Sequence, residues 1–128
     1  MEPKTHLDNV PDVVFTQEEI EFINSQLLLR IGTASAKGKP DVAVVGFDFD
    51  GEYFYVSGRD NENTWKYKNT RRNPRASLVI DDLPSVKPWR TRGVKLSGTV
   101  DFVHYAGKSS GEREYLRIKP THKYSWGL

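Results

Sequence analysis

Tyr53-Phe54-Tyr55-Val56-Ser57-Gly58, followed within a few residues by Asn63-Thr64-Trp65-Lys66-Tyr67-Lys68-Asn69-Thr70-Arg71-Arg72-Asn73, is the stretch on which the fold turns. The first segment alternates like a strand, and the second reads as a short polar helix that begins after Asn61 and stops before Pro74. A strand running into a helix N-terminus makes an anion pocket. The first backbone N–H groups of a helix have no intrahelical partner, and the helix dipole leaves partial positive charge there. Thr64 adds a hydroxyl, and Lys66 and Lys68 are expected to add charge to the same corner. The expected ligand is a phosphate, the tail of a nucleotide-like cofactor. The competing reading is a solvated basic helix with no ligand.

Working outward, the period is two on both sides. Leu27, Leu29, Ile31 and Thr33 share one face of a strand. After the loop Lys37-Gly38-Lys39-Pro40, Ala43, Val45, Phe47 and Phe49 face one way in a second strand, while Val42, Val44 and Gly46 face the other. Asp50-Gly51 is a hairpin signal leading into Tyr53. Arg75 to Ile80 is a fourth strand, with Ala76, Leu78 and Ile80 on one face. A loop with Pro84 and Pro88 precedes a long strand in which Val94, Leu96, Gly98, Val100 and Phe102 alternate with polar residues. Gly98 within it signals a bend or bulge. His104 to Gly111 reads as a turn-like insert, Glu114 to Ile118 as the last strand, and Lys123 to Leu128 as an aromatic tail. Ahead of all this, Thr16 and Glu19 form a capping box, Phe15 staples onto Ile20, and the helix ends near Gln26.

These elements predict a mainly β, α+β fold: a six-stranded antiparallel split barrel with short flanking helices. Closure removes the edges that a small sheet would otherwise present. The 128 residues suffice for one domain, taken as 14–128 after a flexible lead-in over 1–13. Hydrophobic residues make up 37%, charged residues 28%, and the net charge is +2, an ordinary globular balance. The basic excess is local: Thr64 to Arg75 holds Lys66, Lys68, Arg71, Arg72 and Arg75 and no acid. That suits one small anion and argues against a nucleic-acid track. No apolar run reaches the ~18 residues of a membrane span, and Met1 to His6 lacks a signal-peptide core, so a cytoplasmic location without membrane attachment is expected.

Self-sufficient catalytic chemistry is missing. Cysteine is absent, which excludes disulfides, thiolate metal sites and a cysteine nucleophile. His6, His104 and His122 lack metal-ligand spacing. Gly107-Lys108-Ser109 mimics the end of a P-loop, but Phe102 stands where its first glycine belongs. Asp81 and Asp82 are adjacent and point apart. A chain with binding groups and no reactive ones borrows chemistry from a cofactor. A flavin fits. Ser57, Arg59, Thr64, Lys66 and Lys68 would supply phosphate donors, and the backbone of Val44-Val45-Gly46-Phe47 would meet the ring edge. Trp89 and Trp126 would cover the ring face, although core or interface packing is the favoured explanation of each tryptophan taken singly.

In these same segments, completed by Asn73-Pro74-Arg75-Ala76-Ser77-Leu78, Trp89 to Gly98 and Tyr124-Ser125-Trp126-Gly127, the chain resembles the pyridoxamine 5′-phosphate oxidase-like split β-barrel superfamily. It is most similar to the branch described as probable deazaflavin (coenzyme F-420)-dependent oxidoreductases. The resemblance implies a homodimer with cofactor sites between subunits. Ser57, Gly58, Arg59, Thr64, Lys66 and Lys68 of one protomer would hold phosphate. The Trp89 to Gly93 segment, with Arg92, and the tail with Trp126 would come from the other. Hydride would pass between coenzyme F-420, or FMN as the alternative, and a small organic substrate. The family's Ser-Arg-Lys phosphate motif reads Thr64-Trp65-Lys66 here, losing an arginine that Arg59 or Lys68 would replace. A ring-touching glutamine is missing near Gly93, and so is the oxidases' C-terminal signature, so true pyridoxamine phosphate oxidase activity is not expected. The alternatives are a non-catalytic FMN- or haem-binding carrier and a single-strand-binding barrel that stacks bases on Trp65 and Tyr67.

Overall fold

The computed structural model describes residues 12–58 and 60–128; the lead-in before Asp12 and the site candidate Arg59 lie outside the described residues. The chain runs α1 (Gln17–Asn24), β1 (Leu28–Ala34), β2 (Pro40–Phe49), β3 (Phe54–Val56), a 3-10 turn at Asn61–Asn63, α2 (Trp65–Arg72), β4 (Arg75–Ser85), β5 (Arg90–Gly107) and β6 (Gly111–Trp126). All strand pairings are antiparallel, and the sheet closes in the order β1-β2-β3-β6-β5-β4 because β1 pairs with both β2 and β4. The expected six-stranded split barrel is the observed fold.

Alternation dictates which side faces inward. Leu29 and Ile31 of β1, Ala76, Leu78 and Ile80 of β4, Val94 and Leu96 of β5, and Leu116 and Ile118 of β6 are buried together, with Phe54 and Val56 of β3. Ala43, Val45, Phe47 and Phe49 of β2 pack against this core, while Val42 and Val44 face out. Leu27 departs from the expectation. It precedes β1 and is 84% exposed, since the C-cap of α1 at Ser25 turns the chain before pairing begins. Between Asp50 and Tyr53 the turn uses Gly51 at positive φ, and the Asp50 carboxylate accepts from the Glu52 and Tyr53 N–H groups. The register of β5 and β6 shifts between Ser97 and Gly98, the bulge that Gly98 signalled; a side chain there would collide with the Lys119 carbonyl.

Two expectations at the C-terminal end need correcting. His104 to Gly111 is no insert but the continuation of β5 into a turn, with Tyr105 opposite Arg113 and Gly107 opposite Gly111. The tail is likewise strand: β6 continues to Trp126, pairing Ser125 with Val94.

Helix α1 is locked by its capping box. Thr16 Oγ1 accepts from the Glu19 N–H at 3.1 Å, and Glu19 Oε1 accepts from the Thr16 N–H at 2.8 Å. The same carboxylate, only 3% exposed, is paired with the Lys123 ammonium on β6, so cap and docking site are one device. Burial pushes the Glu19 pKa up, but hydrogen bonds from Lys123, Thr16 and Ser125 and the Lys123 charge outweigh it and leave it below the usual glutamate value.

A folded-state pKa below the unfolded one gives stability that is present above the unfolded value of 4.5 and is lost as pH falls through the folded value. Glu19→Ala is expected to destabilise the barrel by about 2–4 kcal/mol in urea denaturation at neutral pH, through loss of the cap and an uncompensated Lys123. The difference from wild type should shrink in acid. An equal difference at both pH values contradicts this account.

Candidate functional site

Strand β3 is too short for its neighbours, and that opens the site. Its pairing with β2 covers only Phe47 to Phe49, whereas β1 pairs with β2 from Pro40 to Gly46. The other edge of β2 from Asp41 to Gly46 is therefore left without a strand, and the chain leaves β3 at Ser57 to pass into α2. Helix α2 packs over the β1 end of this seam. Asn69 Nδ2 donates to Thr33 Oγ1 at 3.0 Å, and Asn73 Nδ2 reaches the Ala34 carbonyl at 3.3 Å.

Lys66 lies inside the seam. It is 5% exposed, and a Cβ on Gly58 would lie 3.8 Å from its ammonium. Among the described residues its one hydrogen-bond partner is Thr64 Oγ1 at 3.3 Å. Burial pushes its pKa below the usual lysine value, and the Asp41 charge only partly offsets this. Beside it, the α2 N-terminus is uncapped by a side chain, because the Thr64 hydroxyl donates to the Asn61 carbonyl at 2.6 Å. A buried ammonium with spare donors next to open helix N–H groups is chemically matched to an anion. On this donor set, the residues present fit the phosphate of a flavin or deazaflavin.

The structure distributes the other expected site residues as follows. Ser57 is buried at the end of β3, its hydroxyl donating to the Glu114 carbonyl at 3.2 Å. Gly58 borders Lys66. Val44, Val45, Gly46 and Phe47 lie along β2, with Val45 and Phe47 turned to the core and Val44 outward. Lys68 does not share the corner with Lys66. Positions two apart on a helix lie on different faces, and the Lys68 ammonium instead sits 5.1 Å from the Trp65 ring centroid. Its ammonium is turned to Trp65 rather than to that corner.

Trp89, Arg92 and Trp126 lie at the far end of the strands. Along β4, Arg75 beside α2 and Asp82 opposite Arg92 are separated by about 23 Å. Arg92 holds Asp82 through two hydrogen bonds of 2.7 and 2.8 Å, while Trp89 is 68% exposed on the β4–β5 hairpin. Trp126 donates to Thr91 Oγ1 and lays its ring where a side chain at Gly93 would stand, which explains why no glutamine fits at that place. One chain does not bring these residues to Lys66.

Sequence reading named Lys66 but missed Asn69 and Thr70, which share the polar underside of α2 with it. Lys66, Asn69 and Thr70 are all buried, and their i, i+3, i+4 spacing marks one helical face. It also missed Arg71, which lies over the Tyr67 and Phe102 rings and pairs with Glu114 at 2.7 Å. Among the described residues there is no cluster of three or more His, Asp or Glu fit to hold a metal, and no helix long and apolar enough to cross a membrane.

Comparison with known proteins matches this architecture. Residues 15–127 match the family model described as pyridoxamine 5′-phosphate oxidase. A 5a,11a-dehydrotetracycline/5a,11a-dehydrooxytetracycline reductase of Streptomyces rimosus is 32% identical over 119 residues, 89% of this chain and 84% of that protein. Among solved structures, an F420 reductase superposes with a TM-score of 0.67 at 18% identity, covering 86% of this chain and 98% of that one. HutZ, the heme storage protein of Vibrio cholerae, superposes with a TM-score of 0.66 at 14% identity, covering 88% and 94%. The two structures share the fold; the family model and the reductase carry the kinship. With its closed six-stranded barrel and its helix across the β2–β3 seam, this chain belongs to the pyridoxamine 5′-phosphate oxidase family of split-barrel oxidoreductases.

Proposed function

We propose that this chain is a dimeric oxidoreductase transferring hydride between a bound coenzyme F-420, or FMN, and a small organic substrate. The observation that carries the reading is Lys66, a buried ammonium with one weak hydroxyl partner among the described residues, at an uncapped helix N-terminus. The relative's name describes a reductase, and that of one fold neighbour an F420 reductase, which favours a reductive direction and a deazaflavin. When bound, the ring supplies the hydride donor and acceptor.

The chain's own work is binding and placement. Lys66 neutralises the phosphate, the first N–H groups of α2 and the Thr64 hydroxyl donate to it, and Ser57 closes the wall beside Gly58. The strandless edge of β2 at Val44 to Gly46, next to Phe47 where β3 pairing begins, offers N–H and C=O groups to the ring edge. A second copy would complete the pocket with Trp89, Arg92 and Trp126, which one chain leaves distant from its own Lys66. The outward face of β1, β2, β4 and β5 suits that partner. It carries exposed Leu28, Val42 and Val44 and a groove of about 1130 Å³ along Gly32, Val42, Ser77 and Ser97.

A haem-carrier reading draws on the likeness to HutZ, but it leaves the Lys66 corner without a role. Adding haem and FMN separately to the purified protein distinguishes the two, because Lys66→Ala should alter only binding that uses a phosphate.

Lys66→Ala is expected to weaken FMN or F-420 binding by about 1–3 kcal/mol in a spectroscopic titration. Unchanged affinity removes Lys66 from the site. The pH dependence has a defined sign. Above neutral pH the phosphate is fully ionised, and only the protonated ammonium attracts it. Since burial lowers the pKa of Lys66 and a bound phosphate raises it again, affinity should fall as pH rises through the lowered value of the free protein. Lys66→Met should flatten that decline; a decline of equal steepness in the variant contradicts the assignment.

A further inference from the structure

The end of the β5–β6 hairpin folds back over the outer face of β2 and β3. Tyr55 lies between the core residues Phe54 and Val56, so its ring points outward, and there it stacks on Tyr105 of β5 with centroids 4.0 Å apart. Tyr115 of β6 meets the Tyr105 ring edge-on at 5.5 Å and is fully buried. The Tyr55 hydroxyl donates to Asp50 at 2.7 Å; burial first, and then Asp50, raise its pKa and keep it a donor. The hairpin tip is tied to Asp48. That carboxylate accepts from the Lys108 N–H at 3.0 Å, from the Ser109 N–H at 3.3 Å and from the Ser109 hydroxyl at 2.6 Å. A side chain at Gly107 would collide with the same carboxylate and with the Tyr115 hydroxyl, so the turn closes directly against β2. Ser109 Cβ thereby comes within 3.8 Å of where a Cβ on Gly46 would stand. At its base the ribbon holds the opposite corner. The Glu114 carbonyl accepts from Ser57, and its carboxylate accepts from Tyr67 at 2.6 Å and from Arg71 at 2.7 Å on α2. Arg113 donates to the Gly58 carbonyl at 2.9 Å.

We propose that the β5–β6 hairpin is a strap that fixes the ring-edge strand relative to the phosphate corner, with Asp48 and Arg113 as its positioning residues. The inference rests on the proposed cofactor reading and deepens it, because it names residues that act on the cofactor without touching it. Gly46 pairs with Leu28 on one side and has no strand on the other, so β1 alone does not hold that end of the edge in place. The tip supplies the missing restraint: Asp48 fastens it two residues beyond Gly46, and the tyrosine stack keeps the ribbon stiff between tip and base. Arg113 acts at the other end through the Gly58 carbonyl, beside the Lys66 ammonium. A ligand anchored at both ends tolerates little change in the span between them, and contacts set by supporting groups weaken when those groups are removed.

The test compares Asp48→Ala, Asp48→Asn and Arg113→Ala with wild type. The ligands are FMN, or coenzyme F-420 where wild type prefers it, followed by absorbance, and inorganic phosphate, followed by phosphorus NMR line width. Asp48→Ala should lose roughly three- to tenfold in coenzyme affinity, the worth of one or two hydrogen bonds, and nothing for phosphate. It should also shift the absorption band of the bound ring, which a change confined to stability would not do. Asp48→Asn, whose carboxamide oxygen still accepts from the Lys108 N–H, should recover much of the loss. Arg113→Ala should weaken coenzyme and phosphate alike. Wild-type coenzyme affinity or an unshifted band in Asp48→Ala overturns the proposal. So does an equal loss of phosphate in that variant, or wild-type phosphate binding in Arg113→Ala. Should Asp48→Ala not fold, Ser109→Ala, which removes only the hydroxyl contact, must show the selective loss and the band shift; their absence overturns the strap. A wild type that binds neither coenzyme refutes the cofactor reading itself, and the strap's role with it.

Discussion

A strand of three residues set among strands of up to eighteen is the constraint from which the rest follows. Backbone N–H and C=O groups need partners, and β3 pairs only with the last three residues of β2, leaving the earlier ones without it. The barrel closes elsewhere through β1, which pairs on both sides, so the unpaired stretch becomes a seam rather than an open edge. Helix α2 covers that seam and turns Lys66, Asn69 and Thr70 into it. Asn69 and Thr70 find partners there, in Thr33 and in the Lys66 carbonyl. Among the described residues Lys66 is left with a single hydroxyl, and an ammonium buried on those terms is costly unless it meets an anion.

Much of the barrel was legible because its elements obey local rules. The capping box at Thr16 and Glu19, the Asp50 turn and the alternation of β2 and β4 each arise from near neighbours in the chain. Gly98 announced its bulge because a strand interior tolerates glycine where another backbone passes close. The legible part ended at the β5–β6 ribbon. There His104, Glu112, Arg113 and Glu114 are exposed, so no apolar face marks the strands, and only the pairing itself reveals them. Leu27 misled for the opposite reason: an apolar residue in phase with a strand lies just before it, where the end of α1 sets the chain direction.

The candidate site was legible as composition but not as arrangement. Hydroxyls and cations between Ser57 and Arg75 suggested an anion, yet sequence spacing merged two faces of α2 into one corner. Helical geometry separates them, with Lys66 inside against Gly58 and Lys68 outside against Trp65. Arg92 was expected at the cofactor and is bound to Asp82, a pairing set by β4–β5 register that no local pattern displays. Trp89 and Trp126 were expected to cover the ring from the other protomer, and within one chain they lie at the opposite end of the strands from Lys66. The proposed two-copy site would reconcile that separation with a shared cofactor.

The central claim is that a phosphate occupies the seam at the start of α2. A crystal structure of the protein grown with FMN or coenzyme F-420 tests it most directly. The account predicts phosphate oxygens within hydrogen-bond distance, about 3 Å, of Lys66 Nζ and of the first N–H groups of α2. A well-ordered cofactor whose phosphate lies elsewhere, with Lys66 still bonded only to Thr64, would contradict it.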